Sequence, residues 1–380
     1  MITFDEAKIR DVADVKGGKR LPKGKQLLTT PNSHPYIRIR DLGKSKILEL
    51  NSDYEYVDSL TQESIKRYIV SEGDILISVV GTIGLIGIVG KSLHGANQTE
   101  NCDKITNLKR IDRDYLYYYL KSDMGQNEIK KGTVGAVQPK LPLKNVLDLK
   151  IKYPDIDTQR KIAKILNLID GKITINNEIN DNLQQQVKTM YEDMFLDVTL
   201  DCLPVGYKIV PLYEIADVLS GKRPVTRVSI QDETNKYPLV GAASIMGYTN
   251  NYNFNCKILV TGRVGTHGVI QRFSSPCWAS DNTLIITSNY YEFTSQFLQH
   301  IDYDSMNRGS TQPLITQSDL KKQQVIIPDT DKIQSFEKFA EALMKKYDYN
   351  ILQNEKLSDL RDSLLPKLMS GEIDVDSIEL

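Results

Sequence analysis

Apolar and polar positions follow one rhythm through the first part of the chain and another after Pro154. "ILISVVGTIGLIGIVG" (75–90) is an apolar run broken by glycines, which predicts buried strands joined by a tight turn. "YIRIRDL" (36–42) alternates with period two and predicts a strand with Arg38 and Arg40 on one face. Residues 113–130, ending before Gly132, predict one amphipathic helix in which "YLYYYL" (115–120) packs into a core. After Pro154 the period becomes heptad. Ile162, Ile169, Leu183 and Met190 form one row, and Leu166, Ile173, Val187 and Met194 a second. A continuous helix there would be roughly 60 Å long. Past Pro328 the heptads return, with Phe336, Leu343, Leu357 and Leu364 in one row and Ala340, Tyr347, Arg361 and Leu368 in the other.

The returning heptads belong to a duplication of the whole chain. Ala13-Asp14-Val15 and Gly18-Lys19-Arg20 reappear as Ala216-Asp217-Val218 and Gly221-Lys222-Arg223, at an offset of 203. Gly81-Thr82 reappears as Gly265-Thr266 at 184; Gln138-Pro139 reappears as Gln312-Pro313 at 174. Landmarks in one order with a shrinking offset define a repeated unit whose second copy is shorter. The expected organisation is a globular unit (1–154), a helix (155–198), a second globular unit (199–328), a second helix (329–372) and a tail (373–380).

Polar breaks in the seams repeat too. Asn176 and Asn180 interrupt the first heptad segment, and Asn350 and Asn354 the second. A seam asparagine costs stability but sets register, because it needs a hydrogen-bonding partner opposite. Both pairs lie mid-helix, so antiparallel packing would bring them together. The expected fold is α+β, with two pseudo-twofold-related globular units joined by two long helices forming an antiparallel coiled coil. Pro366 is expected to bend or end the second helix.

Composition narrows the function. The 380 residues suit two or three domains, and 40% hydrophobic with 26% charged is ordinary globular material. No targeting segment and no apolar run of about eighteen residues is present, so a cytoplasmic protein without a membrane partner is expected. Cys102, Cys202, Cys256 and Cys277 are scattered, which argues against a zinc site or a disulfide framework. "GIVGKS" (87–92) has Leu85 where a phosphate loop needs glycine, and no nucleophile elbow or dinucleotide fingerprint occurs. A binding module is therefore expected rather than an enzyme, with no cofactor or metal in this chain.

Net charge is -1, so any contact with nucleic acid must rest on local patches. "GGKRLPKGK" (17–25) places Lys19, Arg20, Lys23 and Lys25 on one glycine-proline loop, and Arg38 and Arg40 follow. Thr82, Gln138 and Lys140 stand at the later landmarks of the first copy. The second copy offers Lys222, Arg223, Arg227, Arg263, Thr266, His267, Arg308, Thr311 and Gln312. Arginine and glutamine can make bidentate contacts with base edges, while lysine serves mainly phosphates.

The order "ADV…GKR", a glycine-bounded strand, a helix, "G…QP" and "P-D-x-x-x-Q" leading into heptads, repeated once, resembles the specificity subunit of type I restriction-modification systems. The likeness covers essentially the whole chain and is carried mostly by "YPDIDTQRKIAKILNLID" (153–170) and "KLSDLRDSLLPKLMSGEI" (356–373). It implies a non-catalytic subunit in which each globular unit is a target recognition domain reading half of a bipartite site on double-stranded DNA. The coiled coil would set the spacer and dock modification subunits. Partner modification subunits would bring S-adenosylmethionine, and partner restriction subunits ATP and Mg2+. The second copy departs from the pattern: Ile333 stands where Gln159 opens the first helix, Arg361 where Val187 lies in the seam, and Pro366 where Glu192 does. Two other readings are a stand-alone nucleic-acid-modifying enzyme with scattered catalytic residues and a structural coiled-coil adaptor without DNA contact.

Overall fold

A computed structural model describes residues 3–196, 203–308, 314–375 and 378. They fall into two compact units, Met1–Asn176 with Leu352–Leu380, and Asn177–Ile351.

In the first unit an antiparallel pair, Asp5–Lys8 against Lys150–Tyr153, ties the start of the chain to the segment entering the long helix. Between them lies a five-stranded sheet in the order Asp14–Gly17, Cys102–Thr106, Ile75–Ser78, Ile86–Val89, Ile47–Leu48. The apolar run at 75–90 forms two of its inner strands, which are buried throughout. Gly81 and Gly84 supply the positive φ values (+76° and +86°) that the turn between them needs. Side-chain alternation gives this sheet two cores. Ile75, Ile77, Ile86, Ile88 and Ile105 pack against the helical tyrosines and against Ile162, Leu166 and Leu368. Leu76, Val89 and Cys102 point the other way, onto Ile37, Leu42 and Leu48. A three-stranded sheet, Glu55–Tyr56, Pro35–Ile37 and Asn97–Gln98, lies beyond.

The second unit repeats the plan. Lys208–Pro211 pairs with Gln324–Ile327, and a four-stranded sheet runs Ala216–Ser220, Thr283–Ser288, Ile258–Gly262, Gln271–Phe273. A three-stranded sheet, Ile245–Thr249, Tyr237–Val240 and Trp278–Ala279, completes it. Val218, Leu284, Ile286 and Phe293 pack on Val187, Tyr191, Phe336 and Ala340 of the long helices.

The first long helix is Ile156–Tyr191, continued by a wider turn over Glu192–Leu196; the second is Thr330–Ser370. They run antiparallel in each unit. In the first, Arg361 Nη1 pairs with Asp170 at 2.9 Å, and Asn176 Nδ2 donates to Asn354 Oδ1 and Gln353 Oε1, both at 2.8 Å. In the second, Asn350 Nδ2 donates to Asn180 Oδ1 at 2.8 Å. Ile162, Leu166, Ile169, Asn176, Asn180, Leu183, Val187, Phe336, Ala340 and Asn350 are buried. Ile173, Met190, Leu343, Tyr347, Asn354, Leu357 and Leu364 are half-buried. Gln159 is fully buried: its amide donates to Pro154 O (2.8 Å) and Arg110 O (3.2 Å), and its Oε1 accepts from Asp112 N–H (2.7 Å). Ile333, its counterpart, joins an apolar core instead.

Three local expectations are corrected. Residues 113–130 form two helices, Arg113–Lys121 and Asp123–Gly132, because Ser122 leaves the helical region (ψ 161°) and its Oγ caps Gly125. The alternation at 36–42 is only half a strand. Pro35–Ile37 is extended, and then Asp41 accepts from Arg38 N–H at 2.7 Å and closes a short helical turn, Ile39–Asp41. Pro366 does not end the second helix, which runs on to Ser370. Burial of Leu368 and Met369 beyond it offsets the lost hydrogen bond.

Candidate nucleic-acid interface

The repeat landmarks that stand far apart in the sequence emerge from one end of the main sheet in each unit. In the first unit Gly17 is opposite Asp103, and Ser78 is opposite Cys102. The chain then leaves the sheet as the Gly18-Lys19-Arg20 segment and as the Val79–Ile83 turn. Leu141 N–H donates to Val79 O at 2.8 Å, which joins the Gln138-Pro139 loop to the same end. In the second unit Gly221 N–H donates to Thr283 O (3.1 Å) and Ile315 N–H to Arg263 O (3.0 Å), so the equivalent three segments meet again.

Close packing explains the glycine of "GKR". A Cβ on Gly18 would lie 1.9 Å from Thr99 O, and one on Gly221 would lie 2.0 Å from Ser280 O. The two cations that follow are exposed in both copies. An aromatic donor holds the backbone between them: Tyr36 Oη donates to Lys19 O (3.0 Å), and Trp278 Nε1 to Lys222 O (2.7 Å).

The predicted residues divide into those left available and those engaged by the protein. Lys19, Lys23, Thr82, Gln138, Lys140, Lys222, Arg223 and Thr266 are exposed. Arg20 is also exposed and donates to Glu100 Oε1 at 2.6 Å. Arg263 is half-buried and, with Tyr213, Ser220, Thr316, Gln317 and Lys321, lines a cleft of about 520 Å³. Arg38 and Arg40 do meet, but at one carboxylate, Glu55, and Arg40 also donates to Asp53 O at 2.8 Å. Lys25 pairs with Asp58, the cap of helix Ser59–Ile65. Arg227 donates to Met246 O at 3.1 Å, and Arg308 pairs with Asp319. His267 turns inward, its Nδ1–H donating to Gly262 O at 3.0 Å. Thr311 and Gln312 lie outside the described residues.

Asp103 sits beneath the "GKR" segment, buried, and burial pushes its pKa up to about 6. An unfolded aspartate titrates near 3.9, so between roughly pH 4 and 6 the folded state holds a proton that the unfolded state has lost. Stability therefore falls as pH rises through that window. Asp103→Asn removes the effect and is expected to raise stability at pH 8 by on the order of 2 kcal/mol, with little change at pH 4. Melting curves across pH check this; parallel Tm profiles for both proteins would refute it.

Sequence reading missed one landmark. Thr99-Glu100-Asn101 returns as Ser280-Asp281-Asn282 at an offset of 181, within the shrinking series and at the centre of the same sheet end. The signal was class rather than identity: hydroxyl, carboxylate, carboxamide.

The family described as "Type I restriction modification DNA specificity domain" matches residues 1–185 and again 204–360. Among curated relatives, the type I restriction enzyme MjaIX specificity subunit of Methanocaldococcus jannaschii is 24% identical over 99% of this chain and 94% of its own length. The type I restriction enzyme HindI specificity subunit of Haemophilus influenzae is 20% identical over 62% of this chain and 71% of its own. Among solved structures, the crystal structure of the type I restriction-modification S subunit from M. genitalium superposes with a TM-score of 0.61 at 17% identity, covering 97% of this chain and 96% of that one.

Proposed function

The chain belongs to the family of type I restriction-modification DNA specificity domains, and from that premise we propose that each of its two globular units, 1–154 and 199–328, reads one half of a bipartite site on double-stranded DNA. Specificity subunits are the non-catalytic DNA-recognition members of their complexes. The comparisons lend no support to a stand-alone modifying enzyme or to a structural adaptor. One observation carries the half-site reading: both units build the same cationic, multi-loop end on the same strands, from segments that the sequence separates. Lys19, Arg20, Lys222 and Arg223 then serve as phosphate contacts that set register, and Gln138 and Arg263 serve to read base edges.

On this reading the long helices set the distance between the half-sites and dock modification subunits, which carry S-adenosylmethionine; restriction subunits bring ATP and Mg2+. The assembly works in the cytoplasm. Among the described residues no helix is long and apolar enough to cross a membrane.

Methylome sequencing of cells expressing the full chain with a modification subunit tests the reading. The expected result is a split motif with methylated adenines in both halves. Exchanging residues 199–328 for those of another specificity subunit is expected to change one half only. A continuous motif would refute the reading.

A further inference from the structure

The turn that interlocks the three segments has a feature the fold does not use. Its backbone is built alike in both units. Thr99 N–H donates to Ile37 O (3.0 Å) and Ser280 N–H to Val240 O (3.1 Å). Cys102 N–H donates to Thr99 O and Thr283 N–H to Ser280 O, both at 3.1 Å. Asn101 O accepts from Val79 N–H and Asn282 O from Arg263 N–H, both at 2.8 Å. The carbonyls of Thr99 and Ser280 are those against which Gly18 and Gly221 pack. Every one of these contacts is made by main chain, and any residue able to adopt the turn would make it.

The side chains of the next two positions do nothing comparable. Among the described residues Glu100 hydrogen-bonds only with Arg20 and the Thr99 hydroxyl (3.2 Å), both within its own loop pair. The carboxylate of Asp281 and the carboxamides of Asn101 and Asn282 have no partner among the described residues. An acid followed by asparagine nevertheless stands at this place in both copies. Folding does not account for the pair, so its chemistry points outward.

A carboxylate amid exposed lysines and arginines cannot serve a phosphate, which it repels. The groups on a duplex that complement it are exocyclic amino donors, N4 of cytosine and N6 of adenine, both in the major groove. Asparagine is suited to adenine, donating to N7 and accepting from N6. We propose that Glu100-Asn101 and Asp281-Asn282 are base-reading pairs, one in each unit, and that Glu100 holds Arg20 in a defined position until DNA is bound. This rests on the half-site reading and names its central readers.

The test uses the full chain with its modification subunit, wild type and four variants: Glu100→Gln, Asn101→Ala, Asp281→Asn and Asn282→Ala. The host genome serves as the probe. None of these substitutions removes a main-chain contact, and a wild-type Tm verifies folding. Each variant of the first pair is expected to relax one or two adjacent positions within one half of the methylated motif. Discrimination there should drop roughly 5- to 100-fold, with the other half intact. The second pair is expected to relax the opposite half. A split wild-type motif that all four variants leave unchanged would overturn the proposal alone. So would folded variants that lose methylation evenly at every site, which is how a phosphate contact behaves. A continuous wild-type motif would instead overturn the half-site reading on which the proposal stands.

Discussion

Gly18→Ala and Gly221→Ala are each expected to cost about 4 kcal/mol or more and to lower Tm by roughly 10 °C, whereas Gly17→Ala changes little. The reason is distance. A methyl group at position 18 or 221 would lie 1.9 or 2.0 Å from a main-chain carbonyl oxygen, which no side-chain rotation can relieve. That oxygen belongs to the turn holding two other segments, so relief would shift the whole sheet end. At Gly17 the added carbon meets Asp103 Oδ1 at 3.4 Å and Leu143 at 3.6 Å, ordinary contact. Serine already occupies the matching place in the second copy, at position 220. Hydrogen exchange should localise the damage, with Cys102–Thr106 losing protection in the first variant and Thr283–Ser288 in the second. Wild-type melting and exchange in either variant would show that the close approach is not maintained in solution.

Glu292→Ala is expected to destabilise the second unit by about 3–5 kcal/mol. Arg272 reaches from the edge strand Gln271–Phe273 to the start of helix Tyr291–His300, donating from Nη1 and Nη2 to the two Glu292 oxygens at 2.6 and 2.8 Å. Its guanidinium also lies 4.9 Å from the centre of the Tyr291 ring. Burial works against the charge, but hydrogen bonding and the charge of Glu292 outweigh it, so the pKa of Arg272 is raised. Without Glu292 the arginine can neither lose its proton nor reach water freely. The double variant Arg272→Met, Glu292→Leu should recover most of the loss, because two apolar groups leave no buried charge unpaired. Equal denaturation midpoints for Glu292→Ala and wild type would show that the pair is solvated.

Much of the architecture could be read along the chain because it is periodic or repeated. Heptads place Ile162, Leu166 and Val187 in buried rows without knowledge of what covers them, and the seam asparagines do meet across the two helices. Arg361 also sat visibly in a seam, but its partner, Asp170, and the hydrogen bond of Tyr118 to that same carboxylate (2.7 Å) could not be inferred from spacing. The cationic loops show the same limit. Lys19 and Arg38 looked alike in sequence, yet one is exposed and the other is paired with Glu55.

By itself, then, the sequence determined that the chain is a duplication and which helical faces are covered. Those properties follow from the fixed geometry of helix and strand, which turns spacing into direction. Only the tertiary structure decided which charges remain available. Glu55, Glu100 and Glu292 find their arginines across 15, 80 and 20 residues of chain, according to which strand lies beside which. It also decided that the carbonyls of Thr99 and Ser280 press on Gly18 and Gly221. Ion pairs and close approaches depend on distances in space, and no local period encodes them.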